Sequence, residues 1–267
     1  MDHHQSLDIH RIRQLLSGTQ AGRDLRYVAE IDSTNRAAAE LSPGEWGDGT
    51  AIFTDHQTSG RGRSGRSWAA SPFSSVLLSV LYSVPDGAQP QDLLFAAGLA
   101  VSDALRETGV PARLKWPNDV QVEGRKLAGI LSEYSESRDA RRVIAGIGIN
   151  VNVPPEELAP YGDAASVLTE TGRLFSREEL AAALLRHLEM WYRCLTREPE
   201  RVFDEWARRL DTIETQVVVT EADGSWPGTA KSVTRDGGLV VDKPGGERRV
   251  VYAADVSIRS TGGLQAP

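Results

Sequence analysis

One cysteine stands in the whole chain of 267 residues. With only Cys194 available, an internal disulfide and any metal site built from several thiolates are excluded, and its place in a helix-like stretch assigns it to packing. Long apolar runs are missing as well. No segment approaches the ~18 residues of a membrane span, and the opening Met1-Asp-His-His-Gln-Ser-Leu-Asp8 lacks the apolar region of a secretory signal. A cytoplasmic location with no membrane partner is expected. Nor is there an excess of positive charge: 30 basic residues face 37 acidic ones, net −7. That balance argues against a general nucleic-acid binder but leaves room for a local basic patch. Low-complexity tracts and internal repeats are absent, and a hydrophobic content of 40% suits one large core with a small satellite domain.

Residues 1–24 read as a polar N-terminal extension with one short amphipathic candidate, Leu7 to Leu16, too little for a separate DNA-binding module. No helix-turn-helix domain is expected. From 25 to 211 strands and helices mix, which predicts an α+β unit around a central mixed sheet. A strand from Tyr27 to Ile31 leads into a helix opened by Ser33 or Thr34. A second strand, Thr50 to Asp55, enters a Gly/Arg loop, and Ser74 to Tyr82 is apolar enough to be buried on both faces. Gln91 to Glu107 is predicted as a central helix. Lys126 to Tyr134 and Val143 to Val153 read as a hairpin with its turn at 135–139. On the second strand Val143, Ala145, Ile147, Ile149, Val151 and Val153 form an aliphatic face, while Gly146, Gly148, Asn150 and Asn152 alternate with them. The glycine face is a candidate cavity floor. Ser176-Arg-Glu-Glu179 predicts a capping box for a helix through Leu180, Leu184, Leu188 and Trp191, and a further helix spans 198–210. From 212 to 267 short β-rich runs at 216–220, 230–234, 238–241 and 248–252, with Gly-rich turns between them, predict a small barrel.

Two constellations carry chemistry. Gly60-Arg-Gly-Arg-Ser-Gly-Arg-Ser-Trp68 follows a strand ending Asp55-His-Gln57. Its glycines let the backbone approach a ligand closely, Arg61, Arg63 and Arg66 can surround phosphate or carboxylate oxygens, and Trp68 offers a flat face. Arg-Gly sequences also occur in RNA-binding tails, but those are repetitive and lie outside core strands. The second constellation is Lys115-Trp-Pro-Asn-Asp119 followed by Lys126-Leu-Ala-Gly-Ile-Leu-Ser-Glu133. Lys126 is either a solvated end-of-strand charge or a cation aimed into a pocket, and Gly129 within that strand favours the pocket. Asn118 and Asp119 either shape the turn after Pro117 or orient a nucleotide and its magnesium ion.

Taken together, Ser33-Thr-Asn35, His56-Gln57 with Gly60-Arg-Gly-Arg and Gly65-Arg-x-Trp68, Lys115-Trp-Pro-Asn-Asp119, Lys126-Leu-Ala-Gly-Ile-Leu131 and Gly146-Ile-Gly-Ile-Asn150 resemble the biotin–protein ligases in order and spacing. The resemblance implies a class II aminoacyl-tRNA synthetase-like core with an appended SH3-like barrel, of the short monofunctional type. It implies biotin, ATP and Mg2+ as substrates and cofactor, and a biotin carboxyl carrier protein as partner, with no DNA. Both a monomer and a homodimer remain open.

By the same resemblance, Ser33, Thr34, Asn35, Gln57, Arg61, Gly62, Arg63, Lys126, Gly129, Leu131 and Gly148 bind biotin. Arg66, Trp68, Lys115, Asn118, Asp119, Asn150 and Lys231 bind ATP or the adenylate, a plain surface lysine being the alternative for Lys231. Lys126, Arg61 and Arg63 supply the catalytic cations; no metal ligand is assigned. Three other readings compete: a lipoate–protein ligase on the same fold, an RNA-binding protein using the Arg-Gly loop, and an inactive biotin-binding sensor.

Overall fold

The structure is a computed structural model that describes residues 5–19, 21–136, 141–221, 224–252 and the backbone of 255–258. Its main sheet has seven strands: β1 (Leu25–Ile31), β2 (Thr50–Gln57), β3 (Ser75–Ser83), β4 (Arg113–Lys115), β5 (Asp119–Val122), β6 (Arg125–Glu136) and β7 (Arg141–Asn150). They lie in the order β1-β2-β3-β7-β6-β5-β4. β1 and β2 are parallel and every other neighbouring pair is antiparallel, so the sheet is mixed as expected.

Alternation along β7 sorts the two faces. Val143, Ala145, Ile147 and Ile149 enter the main core, covered by α3 (Pro90–Glu107), α6 (Arg177–Leu195) and α7 (Pro199–Arg208). The face bearing Gly146 and Gly148 carries the short helix α2 (Thr34–Ala39), whose Ala38 packs with Ile52, Leu81 and Ile144. Because α2 covers only one end of that face, the glycine stretch beside it is left to be covered by Trp68.

Several elements differ from expectation. β4 and β5, joined through Trp116-Pro117, are strands of three and four residues, too short to show a period of two. β7 ends at Asn150, before Val153; the predicted turn at 135–139 gives way to strand through Glu136, and 137–139 lie outside the described residues. α4 (Pro155–Leu158) and α5 (Val167–Thr171) follow β7 unpredicted. Ser176 caps α6 by accepting from Glu179 N–H at 3.2 Å, and its hydroxyl donates to Glu178.

The N-terminal segment is part of the core. Leu7, Ile12 and Leu16 are buried around α1 (Ile9–Leu15). A buried ion pair pins the segment: Asp55 carboxylate, 1% exposed, binds Arg177 at 2.6 Å, accepts from Tyr27 hydroxyl at 2.5 Å and from Leu7 N–H, while Arg177 donates to Gln5 carbonyl. A buried charge is tolerated only with such partners. The network holds the end of β2 two residues before Gln57.

A second sheet, β8 (Gln216–Glu221), β9 (Gly224–Val233), β10 (Leu239–Asp242), β11 (Arg248–Val251) and β12 (Asp255–Ile258), runs antiparallel in the order β11-β10-β9-β8-β12. β9 includes Pro227, because β10 pairs only with Thr229 to Val233 and no ladder bond is demanded of the proline. This sheet docks on α3: Arg235 pairs with buried Asp92, and Trp116 Nε1 donates to Gly237 carbonyl at 2.8 Å. The second domain is thus tied to the residue two before Asn118.

Near α7, hydrogen bonds from Arg208 and then Arg209 push the Glu205 carboxyl down to about 2. A folded-state value below that of the unfolded chain gives stability that is complete above ~4.5 and disappears as pH falls through about 2. Solvent screening at the exposed Arg208 limits the effect to about 1 kcal/mol. Glu205→Gln should lower Tm at pH 7 by ~2–4 °C, with the gap to the parent chain closing between pH 4.5 and 2. A gap independent of pH in thermal melts would contradict this assignment.

Candidate active site

Two cavities share one wall. The first, ≈130 Å³, is floored by Gly129, Gly146 and Gly148 and lined by Ser33, Thr34, Asn35, Gln57, Leu131 and the loop residues Arg61, Gly62, Arg63, Arg66 and Trp68. The second, ≈540 Å³, is lined by Lys115, Gln121, Asn150, Glu157, Tyr161 and Asp163. Ser67, Trp68, Asp119 and Lys126 belong to both.

The glycines are spatially necessary. A Cβ on Gly148 would lie 2.4 Å from the Trp68 ring, and one on Gly146 would lie 2.1 Å from Asn35 Oδ1. Gly129 and Gly148 are paired across β6 and β7, so the indole rests on a two-glycine platform. Among the described residues Trp68 Nε1 is buried without a hydrogen-bond partner, a donor that a ligand could use.

The loop from Gly60 to Trp68 closes on itself as a narrow hairpin. Trp68 N–H donates to Gly60 carbonyl at 3.0 Å, Arg61 bridges Ser67, and Gly62 N–H donates to Arg66 carbonyl at 2.7 Å. A tight turn at Arg63–Gly65 completes it, with Ser64 and Gly65 at φ of 54° and 74°. A side chain on Gly60 would strike Trp68 carbonyl at 2.3 Å, so this glycine permits the closure. The hairpin lies against core strands, unlike an Arg-Gly tail.

At the α2 end the polar groups form one chain. Ser33 occupies the N-cap position, yet its hydroxyl makes no capping bond. Gln57 Oε1 accepts from Thr34 N–H at 2.9 Å, which turns the Gln57 NH2 away from α2. Ser79 Oγ lies 2.7 Å from Thr34 Oγ1 and 2.6 Å from Asn35 Oδ1. An amide oxygen can only accept, so the single Ser79 proton points to Asn35. Asn35 Nδ2 then donates to Glu133 at 2.6 Å.

At the other end Lys126 Nζ binds Asp119 at 2.7 Å and lies 5.5 Å from the Trp68 ring centroid. Its backbone is clamped by Asp163 carbonyl and Ala165 N–H. Asn118 is held by Ile130 on β6 and accepts from Arg63 at 3.2 Å. Asn150 donates to Ala165 carbonyl.

All but one of the residues assigned to biotin, nucleotide or catalysis therefore line these cavities. The exception is Lys231, which binds Glu214 at 2.6 Å and lines neither; the plain-lysine alternative describes its placement. Arg61 is in the site but faces differently from expectation. Its guanidinium binds Glu133 at 3.1 Å, four residues along β6 from the Gly129 platform beside Lys126, ~13 Å at the usual rise per residue. As placed, Arg63 is the loop arginine nearer the Asn118–Asp119 end. Ser79 and Glu133 were not among the candidate residues. Their signal is alternation: Gly129, Leu131 and Glu133 share one strand face, as do Ser79 and its cross-strand partner Gly146.

Residues 27–150 match the Biotin/lipoate A/B protein ligase family, and residues 212–259 match the Biotin protein ligase C terminal domain. The chain is 39% identical over 268 residues to a biotin–[acetyl-CoA-carboxylase] ligase of Mycobacterium tuberculosis, covering 94% of this chain and 95% of that protein. The chain belongs to the biotin protein ligases. A second such ligase, from Paracoccus denitrificans, is 34% identical over 86% of this chain and 98% of its own. Among solved structures, the biotin protein ligase from Aquifex aeolicus in complex with biotin and ATP superposes with a TM-score of 0.74 at 28% identity, over 90% of this chain and all of that one. The mixed sheet with packed helices is the biotin ligase core, and the C-terminal antiparallel sheet is the family's SH3-like domain.

Proposed function

We propose that this biotin protein ligase joins biotin to a carrier lysine in two steps, with biotin in the glycine-floored cavity and ATP in the larger one. The observation that carries this reading is the shared wall of Trp68, Lys126 and Asp119, which puts one cation and one aromatic face at the junction where the two substrates must react. In this reading residues 25–211 form the catalytic unit, 212–267 the C-terminal domain and 1–24 a packed N-terminal extension.

A carboxylate is a poor acyl donor. Attack of the biotin carboxylate oxygen on the α-phosphorus of ATP expels pyrophosphate and leaves a mixed anhydride, biotinyl-5′-AMP. Two anions must meet for this bond to form, so fixed positive charge at the meeting point lowers the barrier. Lys126 supplies it, with its stem over Trp68 and its ammonium switching between Asp119 and the ligand oxygens. Arg63 and Arg66 approach from the hairpin, and Lys115, Asn118 and Asn150 line the nucleotide side. Ser33, Thr34, Asn35 and Gln57 hydrogen-bond the polar ring of biotin, while Leu131 and the glycines make room for its apolar body. A hydrated magnesium ion fits here: Mg2+ is commonly held by one or two carboxylates together with substrate phosphates, and Asp119 is the carboxylate at the junction. When bound it would neutralise phosphate charge.

In the second step the neutral ε-amine of the carrier lysine attacks the acyl carbon, AMP departs, and the amine proton is lost. The Gly60–Trp68 hairpin shields the anhydride from water until then. The carrier is the biotin-accepting domain of a carboxylase, the site of action is the cytoplasm, and DNA is not a partner. No helix of the described residues is long and apolar enough to cross a membrane.

Purified protein incubated with ATP, Mg2+, biotin and a carrier domain should make the carrier detectable by streptavidin. No labelling under these conditions, with lipoate accepted instead, would overturn the reading.

A further inference from the structure

We propose that Glu133 is a positioning residue that anchors the Gly60–Trp68 hairpin over the biotin cavity and, with the same carboxylate, orients Asn35 at the head of that cavity. The inference rests on the biotin-ligase reading of the site. Each carboxylate oxygen has its own partner: Oε1 lies 3.1 Å from Arg61 Nη1, and Oε2 accepts from Asn35 Nδ2 at 2.6 Å. One partner belongs to the hairpin, the other to α2, and Glu133 itself is on β6. A single side chain therefore joins the floor, the end wall and the cover of the cavity.

The electrostatic consequence is specific. Asn35 is 3% exposed, its carbonyl receives the Ser79 proton, and its NH2 faces two acceptors, Glu133 at 2.6 Å and Leu131 carbonyl at 3.3 Å, of which the charged carboxylate is the nearer and the stronger. Glu133 lies four residues along β6 from Gly129, ~13 Å at the usual rise, and there the charge of Arg61 is neutralised by its carboxylate. Arg61 in this arrangement retains the intermediate by holding the cover, whereas Lys126 and Arg63 serve its formation.

Glu133→Gln and Glu133→Ala separate the two contacts. Glutamine keeps an oxygen for Asn35 but presents neutral NH2 to Arg61; alanine removes both. Three readouts are needed: release of preformed biotinyl-adenylate after dilution, KM for biotin in pyrophosphate exchange, and Tm. Glu133→Gln and Arg61→Ala should each speed adenylate release about tenfold, and the double variant should be no faster than either, as expected when both remove one interaction. Glu133→Ala should in addition raise KM for biotin at least tenfold.

Release rates equal to those of the parent chain in Glu133→Gln and Glu133→Ala would overturn the proposal. So would additive effects in the double variant, or a fall in Tm with no change in release. Failure of the parent chain to form any adenylate would instead refute the ligase reading, so the two failures are distinguishable.

Discussion

Lys126→Ala should slow biotin-dependent pyrophosphate exchange by two to three orders of magnitude while leaving Tm within a degree or two of the parent chain. Lys126 Nζ stands at the wall shared by both cavities, beside Asp119 and over Trp68. Its side chain is 41% exposed, so its removal opens no hole in the core. Removing one preorganised donor to developing charge costs about 2.7–4 kcal/mol of transition-state stabilisation, a factor of 10²–10³. The loss has two sources. The cation disappears, and the Asp119 carboxylate it neutralised is left facing an incoming polyanion. Asp119→Asn added to Lys126→Ala should therefore bind metal-free ATP more tightly than Lys126→Ala alone, without regaining the rate. Exchange at more than a tenth of the parent rate in Lys126→Ala would remove this lysine from the chemistry.

Much of this site was legible because its residues sit where sequence signals are strongest. The hairpin announces itself through three glycines and three arginines in nine positions, and the glycine face of β7 follows from strict alternation over eight residues. What was not legible depends on direction more than identity. The Gly60–Trp68 spacing says that Arg61 covers a ligand, but not which end of the cavity its long side chain reaches; that is decided by Glu133. Ser79 and Glu133 are single polar residues inside strands, with no motif around them. Only the pairing of β3 with β7 and of β7 with β6 brings them next to Gly146 and Leu131.

Lys231 stands apart for the opposite reason: its role is implied by likeness to relatives alone, and Glu214, seventeen residues earlier, pairs with its charge. The N-terminal segment looked like an extension because its one amphipathic stretch, Leu7 to Leu16, is short, and only three of its five apolar residues are buried. Its docking is specified by Asp55 and Arg177, far away in sequence. β4 and β5 are similar cases, too short to carry a period and held by β6 and by Leu210 on either side.

Gly146→Ala carries the second large effect, and it tests the floor of the cavity where Lys126 tests the junction. The added Cβ would stand 2.1 Å from Asn35 Oδ1 and 2.8 Å from its Cγ. Asn35 cannot withdraw without breaking its bonds to Ser79, Glu133 and Leu131 carbonyl. Breaking them leaves buried polar groups unpaired, a cost of about 1–3 kcal/mol, and misaligns the head of the cavity, so KM for biotin should rise about a hundredfold. Asn35→Ala removes the obstacle. The pair Asn35→Ala/Gly146→Ala should therefore be more stable than additivity predicts, with biotin affinity still low, because space has been restored but the amide has not. Gly148→Ala provides the contrast: its Cβ meets the Trp68 ring at 2.4 Å, and that ring hangs from a surface hairpin that can shift. Stability should change less there, with the defect appearing in KM for both biotin and ATP, since Trp68 separates the two cavities. If Gly146→Ala were as stable as the parent chain and bound biotin normally, the chain of hydrogen bonds from Ser79 through Asn35 to Glu133 would have no part in recognising the ligand.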